Sequence, residues 1–249
     1  MNGMSRRYGL GTVSASLLSL TLALLSPRAA SACGVSASGI SSCSLEEHNE
    51  ASRPRWAIGL SGLYTSTRLR FSDSLRADQL RYASLASLAY LPTNRLVLQA
   101  GVGVAFGGSL TAQGNEYRFS PGPTGVLGAD FRAFDDGRYF VLLTSALSFA
   151  AARTHLANEP SVGYQAFDLR LGGEFGVELA EIFRPYVVTR AFGGPVYWRY
   201  LGQSVTGTDI HHYQVGAGAG LRVSRSVNLF VEGIPLGERA LSLGLGLAL

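Results

Sequence analysis

The stretch that decides the fold is Ala240-Leu241-Ser242-Leu243-Gly244-Leu245-Gly246-Leu247-Ala248-Leu249, in which every odd residue is Leu and every even one is tiny. Alternate residues of a β-strand point to opposite faces, so this segment has one wholly apolar face and one face of small side chains. The same period recurs upstream. Leu96, Leu98, Ala100, Val102, Val104 and Phe106 alternate with Val97, Gln99, Gly101, Gly103 and Ala105; Tyr213, Val215, Ala217, Ala219, Leu221 and Val223 alternate with Gln214, Gly216, Gly218, Gly220 and Arg222. Phe167, Leu169, Leu171, Phe175, Val177 and Leu179 stand opposite Asp168, Arg170, Gly172, Glu174, Gly176 and Glu178. A glycine string on one face of a continuing strand is no phosphate-binding loop, which needs a glycine turn opening a helix.

Working outward, the spacing predicts ten strands, with eight to twelve compatible, at 55–71, 79–91, 94–108, 118–133, 138–153, 162–180, 183–199, 209–224, 226–236 and 239–249. The facing of 138–153, apolar on both sides, and of 183–199, interrupted by Arg190, is not fixed by the pattern. Connections at Pro92-Thr93-Asn94, Asp135-Asp136-Gly137, Ala180-Glu181-Ile182, Ser224-Arg225-Ser226 and Gly237-Glu238 are short. Those at Ser72–Asp78, Ser109–Tyr117, Thr154–Ser161 and Tyr200–Thr208 are longer. The expectation is an up-and-down meander with five short turns on one side and four longer loops on the other.

Composition narrows the setting. The 249 residues include 31 Gly, 15% are charged and 10% aromatic, which excludes a disordered chain, a coiled coil and collagen. Arg6 and Arg7 precede an apolar run from Val13 to Leu25, and Ala30-Ser31-Ala32 is a small-residue cleavage site, so residues 1–32 read as a signal peptide cut after Ala32. The run is shorter than the ~20 residues of a spanning helix, which disfavours a retained anchor. Cleavage leaves Cys33 first and Cys43 as the other cysteine. A disulfide in an oxidising compartment is the first reading and lipid attachment at Cys33 the second. Residues 33–54 read as a flexible exported tail and 55–249 as one barrel. From Cys33 onward 18 Arg against 17 Asp and Glu leave a net charge of +1, so the basic pI is no nucleic-acid footprint.

A soluble barrel would expose rows such as Ser242-Gly244-Gly246-Ala248, which lack the charges that protect a solvated sheet. A closed transmembrane barrel places those rows inside a narrow lumen and satisfies all backbone polar groups in lipid. The charges Asp130, Arg132, Asp168, Arg170, Glu174, Glu178, Arg222 and Glu232 then fall inside. Mixed signs there form either a salt-bridge plug or an ion path. Tyr64, Tyr82, Tyr90, Tyr139, Tyr186, Tyr197 and Trp198 near strand ends suit an aromatic girdle. Asp209, His211 and His212, with Ser204 nearby, are the one candidate group for hydrolysis or metal capture. Adjacent histidines face opposite sides of a strand, and a polar strand end is the preferred reading. No catalytic, cofactor or metal residue is assigned.

Residues 55–249, on the dyad repeats, the loop order and the terminal strand Ala240–Leu249, resemble the small Gram-negative outer-membrane β-barrel proteins, the OmpA-like or opacity-type group. The resemblance implies an all-β closed antiparallel barrel, export to the outer membrane, outer-membrane lipid as surroundings and the barrel-assembly machinery as a partner reading the C-terminal strand. That family's strand usually ends in an aromatic; here it ends in Leu249. The expected role is structural or surface-interacting through the longer loops. The alternatives are a narrow diffusion channel lined by mixed charges and, after that, a rim-located hydrolase or lipid-modifying enzyme.

Overall fold

The computed structural model describes residues 33–35, 41–43, 56–72, 74–157, 160–180, 182–224 and 226–249. Strands β1 (Cys33–Val35) and β2 (Ser41–Cys43) form an antiparallel pair with Cys33 opposite Cys43 in the backbone register. The cysteine side chains, cleavage at Ala32 and the rest of the tail lie outside the described residues.

From Trp56 onward, alternation becomes sheet. The strands are β3 (Trp56–Arg70), β4 (Arg76–Tyr90), β5 (Leu96–Ala112), β6 (Asn115–Phe119), β7 (Gly122–Asp135), β8 (Tyr139–His155), β9 (Val162–Val177), β10 (Phe183–Gly193), β11 (Val196–Tyr200), β12 (Gln203–Asp209), β13 (Tyr213–Arg222), β14 (Val227–Gly237) and β15 (Arg239–Ala248). All pairings are antiparallel. Ten strands close a ring in the order β3-β4-β5-β7-β8-β9-β10-β13-β14-β15, with β15 returning to β3 from Arg239↔Ser66 to Ala248↔Ala57.

A second, smaller ring sits on the first. Near the far ends of the longer strands the order is β3-β4-β5-β6-β8-β9-β11-β12, and β12 closes on β3 through Thr208↔Arg70 and Asp209↔Leu69. The rings share strands because β11 continues β10 along β9 in one register, Gly193 opposite Leu169 and Val196 opposite Ala166, with a break at Gly194-Pro195. Likewise β6 continues into β7 along β5. The connection Gly237-Glu238 corrects the turn count, because parity puts it at the long-loop end. There β14 and β15 stop early, and β12 passes over their turn to reach β3.

The expected long loops are largely strand. Ser109–Tyr117 and Tyr200–Thr208 fold as hairpins turning at Gln113-Gly114 and Leu201-Gly202, all four residues in the left-handed region. Such two-residue turns match the twist of the flanking strands.

Polarity inverts between the rings. In the ten-strand ring the outward side chains are large and apolar: Val102 is 72% exposed, Leu60 58% and Phe175 53%. In the eight-strand ring Arg68, Arg70, Arg76, Thr111 and Arg153 point out, while Leu69, Leu110, Tyr117, Phe119, Tyr164 and Trp198 are buried in one cluster. On β5 the switch is made by a bulge: Arg81 pairs with Gly108 and Tyr82 with Phe106, leaving Gly107 unpaired. Gly107 and Gly108 have φ of +67° and +92°, a backbone open mainly to glycine. Before the bulge odd residues face in; after it Leu110 and Ala112 do.

The girdle expectation holds in part. Tyr82, Tyr139 and Tyr197 are exposed, and Trp56 stacks near Tyr90 at 4.5 Å between ring centres at the short-turn end. Tyr186 and Trp198 are instead buried.

Candidate functional site

The glycines inside the wide ring make room for side chains on the neighbouring strand. Phe140 faces Gly176, Tyr186 faces Gly218 and Phe230 faces Gly244 directly across the ladder. A Cβ added at these glycines would meet the facing ring at 2.3, 2.4 and 2.5 Å. Small rows on one strand therefore let large side chains of the next lie across the lumen and fill it.

All eight lumen charges named from the sequence point inward, and they join partners the sequence did not single out. At mid-barrel Arg190 on β10 donates from both terminal nitrogens to Glu232 on β14, at 2.9 and 2.6 Å. Arg190 also lies 3.6 Å from Glu174 on β9, and Tyr186 donates its hydroxyl to Glu232 at 3.2 Å. Gln99 donates to Asp130 across β5 and β7 at 3.2 Å. Toward the short turns Arg132 pairs with Asp135, while Glu178 is shared by Arg184 at 3.3 Å and Arg222 at 3.8 Å. Toward the far end Arg170 pairs with Asp168 and, at 2.9 Å, with Glu238, which also accepts from Gln214 at 2.9 Å.

The sequence missed Arg190, Arg184 and Glu238 as network members for separate reasons. Arg190 and Arg184 lie in the segment whose facing the pattern left open, and the inward row Arg184-Tyr186-Val188-Arg190-Phe192 is the signal that finds them. In the sequence Glu238 falls in a short turn, with no strand period to give its facing. The turn tucks beneath β12, which leaves Glu238 only 5% exposed.

Above the network lies a chamber of about 110 Å³ bordered by Thr67, Gln79, Arg81, Asp168, Arg170, Asp209 and Glu238, among others. Burial pushes the Glu238 carboxyl, in the turn at the outer rim, up to about 7. It pushes the Asp209 carboxyl, on β12, up to about 6. The aromatic cluster of the narrow ring roofs this chamber: Tyr117 meets Trp198 edge-on at 5.0 Å, and Phe119 meets Tyr164 edge-on at 5.0 Å. Its polar tips are satisfied, Trp198 Nε1 by Thr154 at 3.0 Å and the Tyr164 hydroxyl by Gln79 at 2.7 Å.

The Asp209, His211 and His212 group does not converge. Asp209 accepts a hydrogen bond from Thr67 Oγ1 at 2.6 Å, whereas the His212 ring lies near Phe192 and the His211 ring near Tyr213. Among the described residues no group of three His, Cys, Asp or Glu side chains is arranged to hold a metal ion.

No family model matches the sequence, and no curated protein matches it significantly. Solved structures do. The outer membrane protease OmpT from Escherichia coli is 11% identical over 78% of this chain and 96% of that one, with a TM-score of 0.50. The β domain of the Bordetella autotransporter BrkA is 13% identical, covering 78% of this chain and 99% of that one, with a TM-score of 0.45. The translocator domain of the autotransporter NalP from Neisseria meningitidis is 10% identical, covering 80% and 90%, with a TM-score of 0.46. At these identities the likeness concerns the fold. The OmpT match adds no subgroup to it, and the chain has the closed antiparallel fold of the bacterial outer-membrane β-barrels.

Proposed function

We propose that this protein is a closed, non-conducting outer-membrane barrel whose narrow outer ring serves as a structural or interaction platform at the cell surface. The observation that carries this reading is the double obstruction of the lumen. Arg190, Glu174 and Glu232 span mid-barrel, and the Trp198 cluster fills the ring above. Charges held in direct pairs in a low-dielectric lumen do not form a water-filled path. The reading places the surface role on the strand-built outer ring in place of long loops, and it assigns no catalytic step to Asp209, His211 or His212. It includes export by a cleaved signal, a Cys33–Cys43 disulfide, and recognition of β15 by the assembly machinery, supported by the unbroken outward Leu row of that strand.

The test is planar-bilayer recording of the purified protein. The expected result is no stable current step, with steps appearing once Arg190 and Trp198 are both replaced by Ala. A steady conductance in the unaltered protein, altered by Arg170→Gln or Glu174→Gln, establishes the narrow channel instead.

A further inference from the structure

The two rings are joined where the wide ring changes partners. Along β3, pairing with β15 ends at Ser66; the Arg68 carbonyl accepts from the amide of Ile210, just past β12, at 2.8 Å, and pairing with β12 itself occupies Leu69 and Arg70. The β12–β3 seam holds two register pairs, against ten between β15 and β3. It is among the weakest closures of the outer ring, and three carboxylates border the chamber beside it. Asp209 comes from β12 itself, Glu238 from the β14–β15 turn below, and Asp168 from β9, and the cation within contact distance of two of them is Arg170.

The remaining groups on this chamber do not balance the excess. Arg81 on β4 stacks against the rings of Phe119 and Tyr164, 5.7 Å from each centre. Gln214 on β13 and Thr67 on β3 are neutral donors already used by Glu238 and Asp209. Gln79 on β4 accepts from Tyr164, and Ser148 on β8 adds a neutral hydroxyl to the wall. Asp168 Oδ1 is buried without a hydrogen bond. Three ionised carboxylates against the guanidiniums of Arg170 and Arg81, of which Arg170 alone pairs with them directly, leave the chamber net negative; a proton on Asp209 or Glu238 removes that excess and adds a donor.

We propose that Asp168, Asp209 and Glu238 around Arg170 form a proton-operated latch, which holds the outer ring closed at mildly acidic pH and loosens the β12–β3 seam as the cluster loses protons. The sign follows from burial, which raises Glu238 to about 7 and Asp209 to about 6. A folded-state value above the unfolded one gives stability that is present at low pH and lost as pH rises through those values. Opening the seam exposes the aromatic cluster and the chamber to water, while the wide ring stays closed by its own ten strands.

Trp198 reports on the outer ring, and the chain has two Trp residues, so Trp56→Phe leaves it as sole reporter. In lipid nanodiscs, acrylamide quenching of Trp198 is expected to rise about twofold from about pH 5 to about pH 8, with its midpoint between about 6 and 7. Replacing His48, His155, His211 and His212 by Gln is expected to leave that midpoint in place. Asp209→Asn with Glu238→Gln, which mimic the protonated forms, is expected to keep quenching low throughout. Each single substitution is expected to shift the midpoint, which keeps the test open if the double variant fails to fold. Quenching independent of pH, a midpoint lost with the histidines, or one unchanged in both single variants overturns the latch.

Discussion

Arg190 and Trp198 lie on one continuous path along β9, both with relative exposures of 2%, yet one is held by carboxylates and the other by aromatic rings. The difference lies outside the barrel. Where apolar side chains point outward into lipid, burying apolar groups inside gains little, and the interior can be polar provided its charges are paired. Where Arg68, Arg70 and Arg153 point outward into water, the interior is an ordinary hydrophobic core. One sheet therefore carries two folding logics, and β3 shows both: Trp56, Ile58 and Leu60 face out below, and Arg68 and Arg70 face out above.

The contrast predicts failures of similar size but different reach. Arg190→Ala leaves Glu174 and Glu232 buried without their guanidinium and is expected to cost about 3–5 kcal/mol, unfolding the whole barrel at lower denaturant concentration. Trp198→Ala is expected to cost about 3–5 kcal/mol within the outer ring, yet to preserve the mobility shift between unboiled and boiled samples on gels. If the two variants lose that shift together, the rings are one cooperative unit and the comparison breaks down.

Smaller effects sharpen it. Gly218→Val meets the Tyr186 ring, which must move and give up its bond to Glu232; the expected loss is about 1–3 kcal/mol in urea unfolding. The smallest effect belongs to the outer surface. Arg68 pairs with Asp78 at 2.6 Å, but both are largely exposed, so Arg68→Ala should leave the urea midpoint essentially unchanged, most clearly in high salt.

The wide ring was legible in the sequence because lipid enforces a strict alternation, and the facings of Leu96–Phe106, Phe167–Val177, Tyr213–Arg222 and Ala240–Ala248 follow from it directly. The narrow ring was not, because the shift occurs within strands. The Gly107-Gly108 bulge moves the inward row from odd to even numbers, so Leu110 and Ala112 keep the numerical phase of the outward row that begins at Leu96 and yet face inward. Their neighbours Tyr117 and Phe119 resume a period of two on odd numbers after the Gln113-Gly114 turn, a signal too short to stand alone. Of the lumen network, residues on clean dyad strands were found. Arg190 and Arg184 sat on a strand whose Pro185 and Gly193-Gly194-Pro195 blur the period, and Glu238 sat in a turn whose burial depends on β12 crossing above it.

Polarity inverts along the shared strands, and spin labels scanned along β8 read that inversion position by position. Labels at the outward positions Leu143, Leu147, Phe149, Arg153 and His155, in lipid, are read for access to oxygen and to a water-soluble nickel complex. Oxygen access should dominate at Leu143 and Leu147 and give way to nickel access at Arg153 and His155. Nickel access at every position, or oxygen access continuing through His155, would contradict a lipid-facing ring surmounted by a water-facing one.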